Sequence, residues 1–155
     1  MLRPILLATA VAGTLDILFA VILTLYFGRE PGNMLRYVAS GPFPSAKEWG
    51  TPGAVLGLAV HFTLMAIMAT AFVFVARRYP DIIRSPLKWG VIYGLITYVV
   101  MNLIVVPLRF HTPLPPSPTG IATQLFAHIV LVGIPFALIT ARTLRADLLT
   151  QRVTI

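Results

Sequence analysis

Five polar side chains interrupt stretches of sequence that are otherwise apolar. They are Asp16, His61, Asn102, Gln124 and His128. The two histidines share a context, L-x-x-H-x-x-L, at 58–64 and 125–131. Carboxylates and imidazoles can ligate metals or haem iron, exchange protons near neutral pH, or join helices by hydrogen bonds. The surrounding sequence decides which of these roles the five residues can take.

The composition is that of a membrane protein. Of the 155 residues, 57% are hydrophobic and only 11% are charged, and the mean hydropathy is +0.87. A soluble domain has about 25% charged residues. The absence of cysteine excludes disulfides, thiolate metal sites and cysteine nucleophiles. The net charge of +7 comes from basic residues at the ends of apolar runs, which favours anionic lipid headgroups as partners and not nucleic acid.

Four apolar runs each reach the roughly 20 residues that cross about 30 Å of hydrocarbon. They cover residues 5–27, 54–76, 89–108 and 121–141. Backbone groups in lipid must be satisfied within the segment, so these runs are predicted to be helices. The predicted fold is an all-α, integral membrane four-helix bundle, with residues 1–155 forming a single transmembrane domain.

The predicted helix starts have a common pattern, a hydroxyl residue followed by proline. It occurs at Thr51-Pro52, Ser85-Pro86 and Ser117-Pro118 and is typical of a capped first turn.

The first connection, on the predicted outer side, contains EPGNMLRYVASG. Pro31 can begin a short helix and Gly41 can end it, with Met34, Leu35 and Val38 on one face. This pattern predicts a helix lying on the membrane interface, with an irregular loop as the alternative.

The distribution of basic residues predicts the orientation. Eight of them belong to the N-terminus, the 77–88 connection and the C-terminal tail, and four belong to the two opposite connections. The larger group is Arg3, Arg77, Arg78, Arg84, Lys88, Arg142, Arg145 and Arg152, and the smaller is Arg29, Arg36, Lys47 and Arg109. The positive-inside rule then places both termini in the cytoplasm of a bacterium, with the chain in the inner membrane.

The polar residues fall at similar depths. Depth is counted from the outer ends of the helices, at Phe27, Pro52, Leu108 and Pro118. At 1.5 Å per residue, Asp16, His61 and His128 lie about 14–16 Å from these ends, and Asn102 and Gln124 lie about 9 Å from them. A polar group that faces lipid costs several kcal/mol. We therefore expect the five residues to face inward and meet.

Four interpretations of this cluster remain open. The first is a structural hydrogen-bond network. The second is haem b with His61 and His128 as axial ligands and Asp16 orienting one imidazole. The third is a divalent metal held by His61, His128 and Asp16. The fourth is proton-coupled movement of a small solute, which would need an oligomer of so small a chain.

From His61 onward, about 95 residues, the chain resembles the YagU-like family of small bacterial inner-membrane proteins. The resemblance is carried by His61, RRYPDIIRSPLKWGVIYG, the Met101-Asn102…Pro107-Leu108 pattern, the proline-rich connection, and LFAHIVLVGIPFALITARTLRADL. It implies a polytopic protein without an established activity, with His61 and His128 on the histidines of the family's second and fourth helices. Asp16 lies outside the part that matches.

The predicted function is that of a non-enzymatic binding, accessory or stress-related component of the inner membrane. It would act alone, as a homo-oligomer, or within a larger membrane complex. The alternatives are a bis-histidine haem b electron carrier and a proton-coupled solute transporter or channel.

Overall fold

The computed structural model describes residues 1–153, with side chains through residue 146. Within this part the chain is all-α and has no strand, as predicted. Its helices are α1 (Leu2–Tyr26), α2 (Pro31–Ala39), α3 (Gly50–Arg78), α4 (Pro80–Arg84), α5 (Pro86–Phe110) and α6, which begins at Pro118 and continues to Val153. A 3₁₀ turn at Pro44–Glu48 precedes α3.

Four helices are long and apolar enough to cross a membrane: α1, α3, α5 and the Pro118–Ala146 part of α6. They correspond to the four predicted spans, each beginning three or four residues earlier than predicted. The side chain of Arg152, which the orientation argument counted, lies outside the described side chains.

The predicted hydroxyl caps are only partly confirmed. The Ser117 hydroxyl accepts a hydrogen bond from the Gly120 amide, 3.1 Å away, at the start of α6. Ser85 precedes α5 but makes no such bond. The predicted cap at Thr51 is wrong, because α3 already begins at Gly50. Gly50 has a φ of 61°, a backbone conformation that glycine adopts at little cost and that turns the chain into α3 one residue earlier.

We call the end of the bundle that carries the N-terminus and α4 the terminal end. The opposite end, which carries α2 and the 111–117 connection, is the loop end. The predicted short helix of the first connection is confirmed as α2, but it lies against α3. Gly57 and Gly53 allow this approach, because a β-carbon at Gly57 would overlap the backbone of Leu35 and one at Gly53 would overlap the carbonyl of Ala46.

The spans are not packed equally on all sides. Helix α1 packs closely on α3 and α6, and α5 packs closely on α6. Helices α3 and α5 approach each other less closely, and their described contacts include the rings of Phe72 and Tyr93, whose centroids lie 4.9 Å apart. One hydrogen bond joins α3 to α5, from the Tyr93 hydroxyl to the Met68 carbonyl at 2.7 Å.

The tightly packed core lies in the terminal half. It joins the first part of α1, the second part of α3 and the second part of α6, through Ala8, Ala12, Met65, Ala69, Phe72, Ala76, Val132, Phe136 and Ala137, together with Ile82 of α4. The packed core therefore occupies the interior of the bundle in its terminal half.

Glycines set the distance between α5 and α6. A β-carbon at Gly94 would lie 2.5 Å from the carbonyl oxygen of His128 and 2.6 Å from Cα of Ile129. A β-carbon at Gly90 would lie 2.8 Å from Cα of Ile134. Small residues allow such close approach between membrane helices, and here the contact brings the His128 backbone directly against α5.

Both of these helices contain a π-helical segment. In α5 it is Val99–Val105 and in α6 it is Ala127–Gly133. Each ends two residues before a proline, Pro107 or Pro135. Proline lacks the amide hydrogen of the i→i−4 ladder, and its ring clashes with the carbonyl four residues earlier. A wider turn accommodates this carbonyl, and single π turns are frequent at functional sites.

Candidate ligand-binding site

All five sequence-predicted polar residues line one cavity, which we call the central cavity. It has a volume of about 320 Å³ and contains Asp16 of α1, His61 of α3, Asn102 of α5, and Gln124 and His128 of α6. The five residues that the sequence singled out thus border the same space. Asn102 and His128 each lie within a π segment.

His128 is held on both sides of its ring by α5. Its Nε2 lies 3.0 Å from the amide nitrogen of Asn102, and its Nδ1 lies 3.1 Å from the hydroxyl of Thr97. The Thr97 hydroxyl donates to the Gly94 carbonyl at 3.0 Å, so it accepts from the histidine. The consistent assignment is a neutral ring with the hydrogen on Nδ1, accepting from Asn102 at Nε2. His128 is thus fully satisfied within the protein.

Sequence reasoning missed Thr97. Thr97 and Asn102 are five residues apart, a spacing that falls on different faces of an ordinary α-helix. A π turn pairs residue i with residue i+5, and the segment beginning at Val99 lets both side chains reach His128. The available signal was a proline inside an apolar run, Pro107, five residues after Asn102.

His61 is bonded differently, to α1. Its Nε2 lies 2.9 Å from the carbonyl oxygen of Gly13. A carbonyl only accepts, so Nε2 carries the hydrogen, and Nδ1 of the neutral ring presents a lone pair. This Nδ1 lies 3.9 Å from Oδ2 of Asp16, within ion-pair reach but beyond a direct hydrogen bond.

Asp16 and Gln124 make fewer hydrogen bonds to the protein than the other three residues do. Within the described residues, the Asp16 carboxylate has only the 3.9 Å approach to His61, and its side chain is 22% exposed. Neither it nor the Gln124 amide makes a protein hydrogen bond in this part of the chain. These groups face the space of the central cavity.

Two further spaces adjoin the central cavity. A pocket of about 410 Å³ near the loop end shares Leu23, Thr24 and Gln124 with it and also contains Arg29. A larger groove of about 670 Å³ between α3 and α5 shares Val38, Leu64, Met101 and Val106. We call these the loop-end pocket and the lateral groove. Both lead from the loop half of the bundle to the five polar residues.

The arrangement does not bring the two histidines together as ligands. Haem iron needs a free ring nitrogen from each histidine. His61 retains Nδ1 without a direct hydrogen bond, but both ring nitrogens of His128 are engaged, Nε2 with Asn102 and Nδ1 with Thr97. In the described part of the chain, no three His, Cys, Asp or Glu side chains are grouped so that they could hold a metal ion. The predicted metal ligands His61, His128 and Asp16 are therefore not grouped. His61 is hydrogen-bonded to α1, whereas His128 is hydrogen-bonded to α5.

The electrostatic character of the central cavity is set by acceptors. No lysine or arginine lines it; Arg29 belongs to the loop-end pocket and Arg109 to the lateral groove. The protein has four membrane-capable helices that enclose a buried set of His, Asn and Thr contacts and one adjoining Asp–His pair. Comparison of the chain with protein-family models, curated proteins and solved structures finds no match.

Proposed function

We propose that this protein is a non-enzymatic binding component of the bacterial inner membrane, and that its central cavity takes a small ligand carrying a primary ammonium group. The observation that carries the proposal is the 3.9 Å separation between Asp16 Oδ2 and His61 Nδ1. Two acceptors at this distance cannot bond to each other when the ring is neutral. One donor group with two hydrogens can bridge them.

The rest of the central cavity supports a donor ligand. The amide nitrogen of Asn102 is engaged by His128, so its oxygen is left as a further acceptor. The cavity contains no lysine or arginine to neutralise Asp16. A carboxylate at this depth in a membrane is costly unless it is paired. A cationic ligand supplies both the charge and the hydrogen-bond donors.

The test is thermal unfolding of the full-length protein in detergent with added n-butylammonium. Tetramethylammonium serves as the matched cation, because it carries the same charge without any N–H. We expect n-butylammonium to raise the midpoint in a saturable manner and tetramethylammonium to have little effect. Asp16→Asn should weaken the response to n-butylammonium at least tenfold. Asp81→Asn, which removes an exposed carboxylate of α4, should leave it unchanged.

Equal shifts with both cations, or a full response in Asp16→Asn, would contradict the proposed bridging of Asp16 and His61. The absence of any shift with n-butylammonium in the wild type would contradict the ammonium ligand itself. Circular dichroism of Asp16→Asn shows whether the variant is folded. His61→Gln is a second variant, which changes the other of the two acceptors that the ammonium group would bridge.

Proton-coupled solute movement is a second candidate, favoured by the shape of the interior. The central cavity adjoins the loop-end pocket through Leu23, Thr24 and Gln124, whereas the packed core occupies the terminal half. An interior that opens toward one half of the bundle corresponds to one state of an alternating-access cycle. Proteoliposomes with a pH gradient should then accumulate labelled n-butylammonium, and Asp16→Asn should abolish the accumulation. Binding without accumulation would leave the simpler binding role.

The proposal includes a topology in which the terminal end is cytoplasmic. It is supported by the excess of basic residues at that end. Because the sequence contains no cysteine, the topology can be tested by labelling a single introduced cysteine. A single cysteine at Ser45, at the loop end, should react with a membrane-impermeant maleimide in spheroplasts, and one at Ser85 should react only after lysis. The reverse pattern would overturn the orientation.

We also propose that the basic residues of the terminal end contact anionic lipid headgroups, and that the chain belongs with the YagU-like proteins. The first proposal is supported by Arg77 and Arg78 in the last turn of α3 and by Lys88 in the first turn of α5. A homo-oligomer or a larger membrane complex is the proposed setting if the protein moves solutes. Native mass spectrometry of the purified protein measures its oligomeric state directly.

A further inference from the structure

The lateral groove is a second cavity with a chemistry opposite to that of the central one. Its walls are mostly apolar side chains of α3 and α5, among them Leu56, Val60, Met101 and Val105, and α2 with the segment 41–43 completes them. Its volume of about 670 Å³ is within the range of small-molecule sites. Val105 is 42% exposed, so the groove is open sideways between the two helices.

The groove exists because α3 and α5 separate in the loop half. In the terminal half, Tyr93 of α5 joins the two helices through its bond to Met68 and its ring contact with Phe72. In the loop half, side chains of both helices line the groove instead. An empty apolar slot at membrane depth loses the dispersion contacts of all the atoms that line it. The membrane supplies lipid acyl chains that can fill this space. An acyl chain in the groove contacts both helices at once.

Positive charge lies at the loop-end mouth of this groove. The guanidinium of Arg109 donates to the Gly41 and Ser40 carbonyls at 2.6 and 2.8 Å, which fixes its position without neutralising it. Lys47 Nζ lies 5.8 Å from the ring of Phe110, which in turn neighbours the Arg109 guanidinium at 5.2 Å. Within the described residues, neither cation has a carboxylate partner.

We infer that the lateral groove holds one acyl chain of an anionic membrane lipid, with the lipid phosphate at Arg109 and Lys47. Charge complementarity argues for the anionic headgroup, since Arg and Lys are both phosphate-binding residues. The apolar walls argue for the chain. This site is independent of the ammonium ligand, because it uses none of the five polar residues of the central cavity.

The experiment is a lipid titration of the full-length protein in detergent, followed by native mass spectrometry. The probes are phosphatidylglycerol and phosphatidylcholine with identical acyl chains. We expect one phosphatidylglycerol to bind at least fivefold more tightly than phosphatidylcholine. Arg109→Gln should remove most of this preference, and Arg109→Lys should keep part of it. The matched control is Arg29→Gln, which removes a charge from the loop-end pocket and should leave the preference intact.

A second pair of variants tests the chain site without touching a charge. Val60→Trp fills the groove and should weaken binding of both lipids at least fivefold. Val55→Trp places the same side chain on an exposed position of α3, 64% accessible and outside the groove, and should have little effect. Equal binding of the two lipids by the wild type, or unchanged binding in Val60→Trp, would overturn the inference. So would a dimer that Val60→Trp dissociates with no loss of lipid, because a second copy of the chain would then cover the groove.

Discussion

The amide nitrogen of Asn102 lies 3.0 Å from Nε2 of His128, and this bond joins the π segments of two neighbouring membrane-capable helices. Together with Thr97 on Nδ1, it fixes both the position and the tautomer of the imidazole. His128 is therefore a structural member of the central cavity. Its hydrogen bonds fix the wall of the central cavity that α5 and α6 form. The side chains of Asp16 and His61, on α1 and α3, remain available to a ligand.

The first prediction concerns the stability of this wall. Asn102→Leu and Thr97→Val should each lower the free energy of unfolding by about 0.5–2 kcal/mol, the range of hydrogen bonds between membrane helices. The two losses should not be additive, because both act through the same imidazole. Unfolding in a detergent titration, followed by circular dichroism, measures them. The control Thr70→Val removes only an exposed hydroxyl bonded to its own helix, at Ala66, and should change the free energy little.

The part of this site that could be predicted from the sequence is the part that depends on the position of each residue along its helix. The depth of a residue along a helix follows from its number in the span, and Asp16, His61 and His128 do line one cavity as their depths indicated. Counting does not give the rotation of each helix or the order of neighbours. His61 therefore pairs with α1 and His128 with α5, and the two are not partners of each other.

The same limit explains the parts of the fold that were missed. Gly53 and Gly57 precede His61 at four-residue steps, a spacing that favours contact between membrane helices. In the structure Gly57 lies against Leu35 of α2 and Gly53 lies against Ala46 of the 3₁₀ turn. Hydropathy showed that the 28–50 connection could form a helix and could not show which surface it would contact. Thr97 was overlooked because a regular helical period places it away from Asn102, and a π turn changes that period.

The second prediction concerns the α5–α6 contact. Gly94→Ala places a methyl group against the backbone of His128 and Ile129, which cannot move like a side chain. Overpacking of this kind typically costs about 1–3 kcal/mol, and here it should also weaken the His128 bonds to α5. Gly120→Ala is the matched control, because the atom nearest to its new methyl is the Ser117 hydroxyl. Thermal unfolding in detergent should show a lower midpoint for Gly94→Ala alone, and equal midpoints would refute the close contact.

The third prediction concerns cofactor content. Protein purified from cells supplied with a haem precursor should show no Soret band, oxidised or reduced with dithionite. The reason is that both ring nitrogens of His128 are bonded to protein groups, Nε2 to Asn102 and Nδ1 to Thr97, so that this histidine has no nitrogen left for the iron. A band that shifts on reduction and disappears in both His61→Ala and His128→Ala would contradict this bonding pattern. The protein would then be a haem carrier with a different arrangement of α3 and α6.

The fourth prediction concerns Tyr37, which lies on α2 outside the four spans and stacks on Phe110 with ring centroids 4.2 Å apart. Burial raises the pKa of the Tyr37 phenol above its ordinary value of 10.0, and the positive charge of Arg109 partly opposes the rise. The folded protein therefore keeps this proton at a pH where the unfolded chain has lost it. The contribution to stability is fully present below about pH 10 and is lost as the pH rises through the folded pKa.

Alkaline titration by ultraviolet absorbance can isolate this group as the difference between the wild type and Tyr37→Phe. The difference spectrum should show tyrosinate only above pH 10. In an Arg109→Gln background the same difference should appear at still higher pH, because the opposing charge is gone. Tyr79→Phe is the control at the terminal end, where the residue is 60% exposed and far from Arg109 along the spans. Ionisation of Tyr37 at an ordinary pH, unchanged by Arg109→Gln, would show that α2 does not cover the ring beside Arg109. The mouth of the lateral groove would then be more open than the packing of Tyr37 on Phe110 indicates.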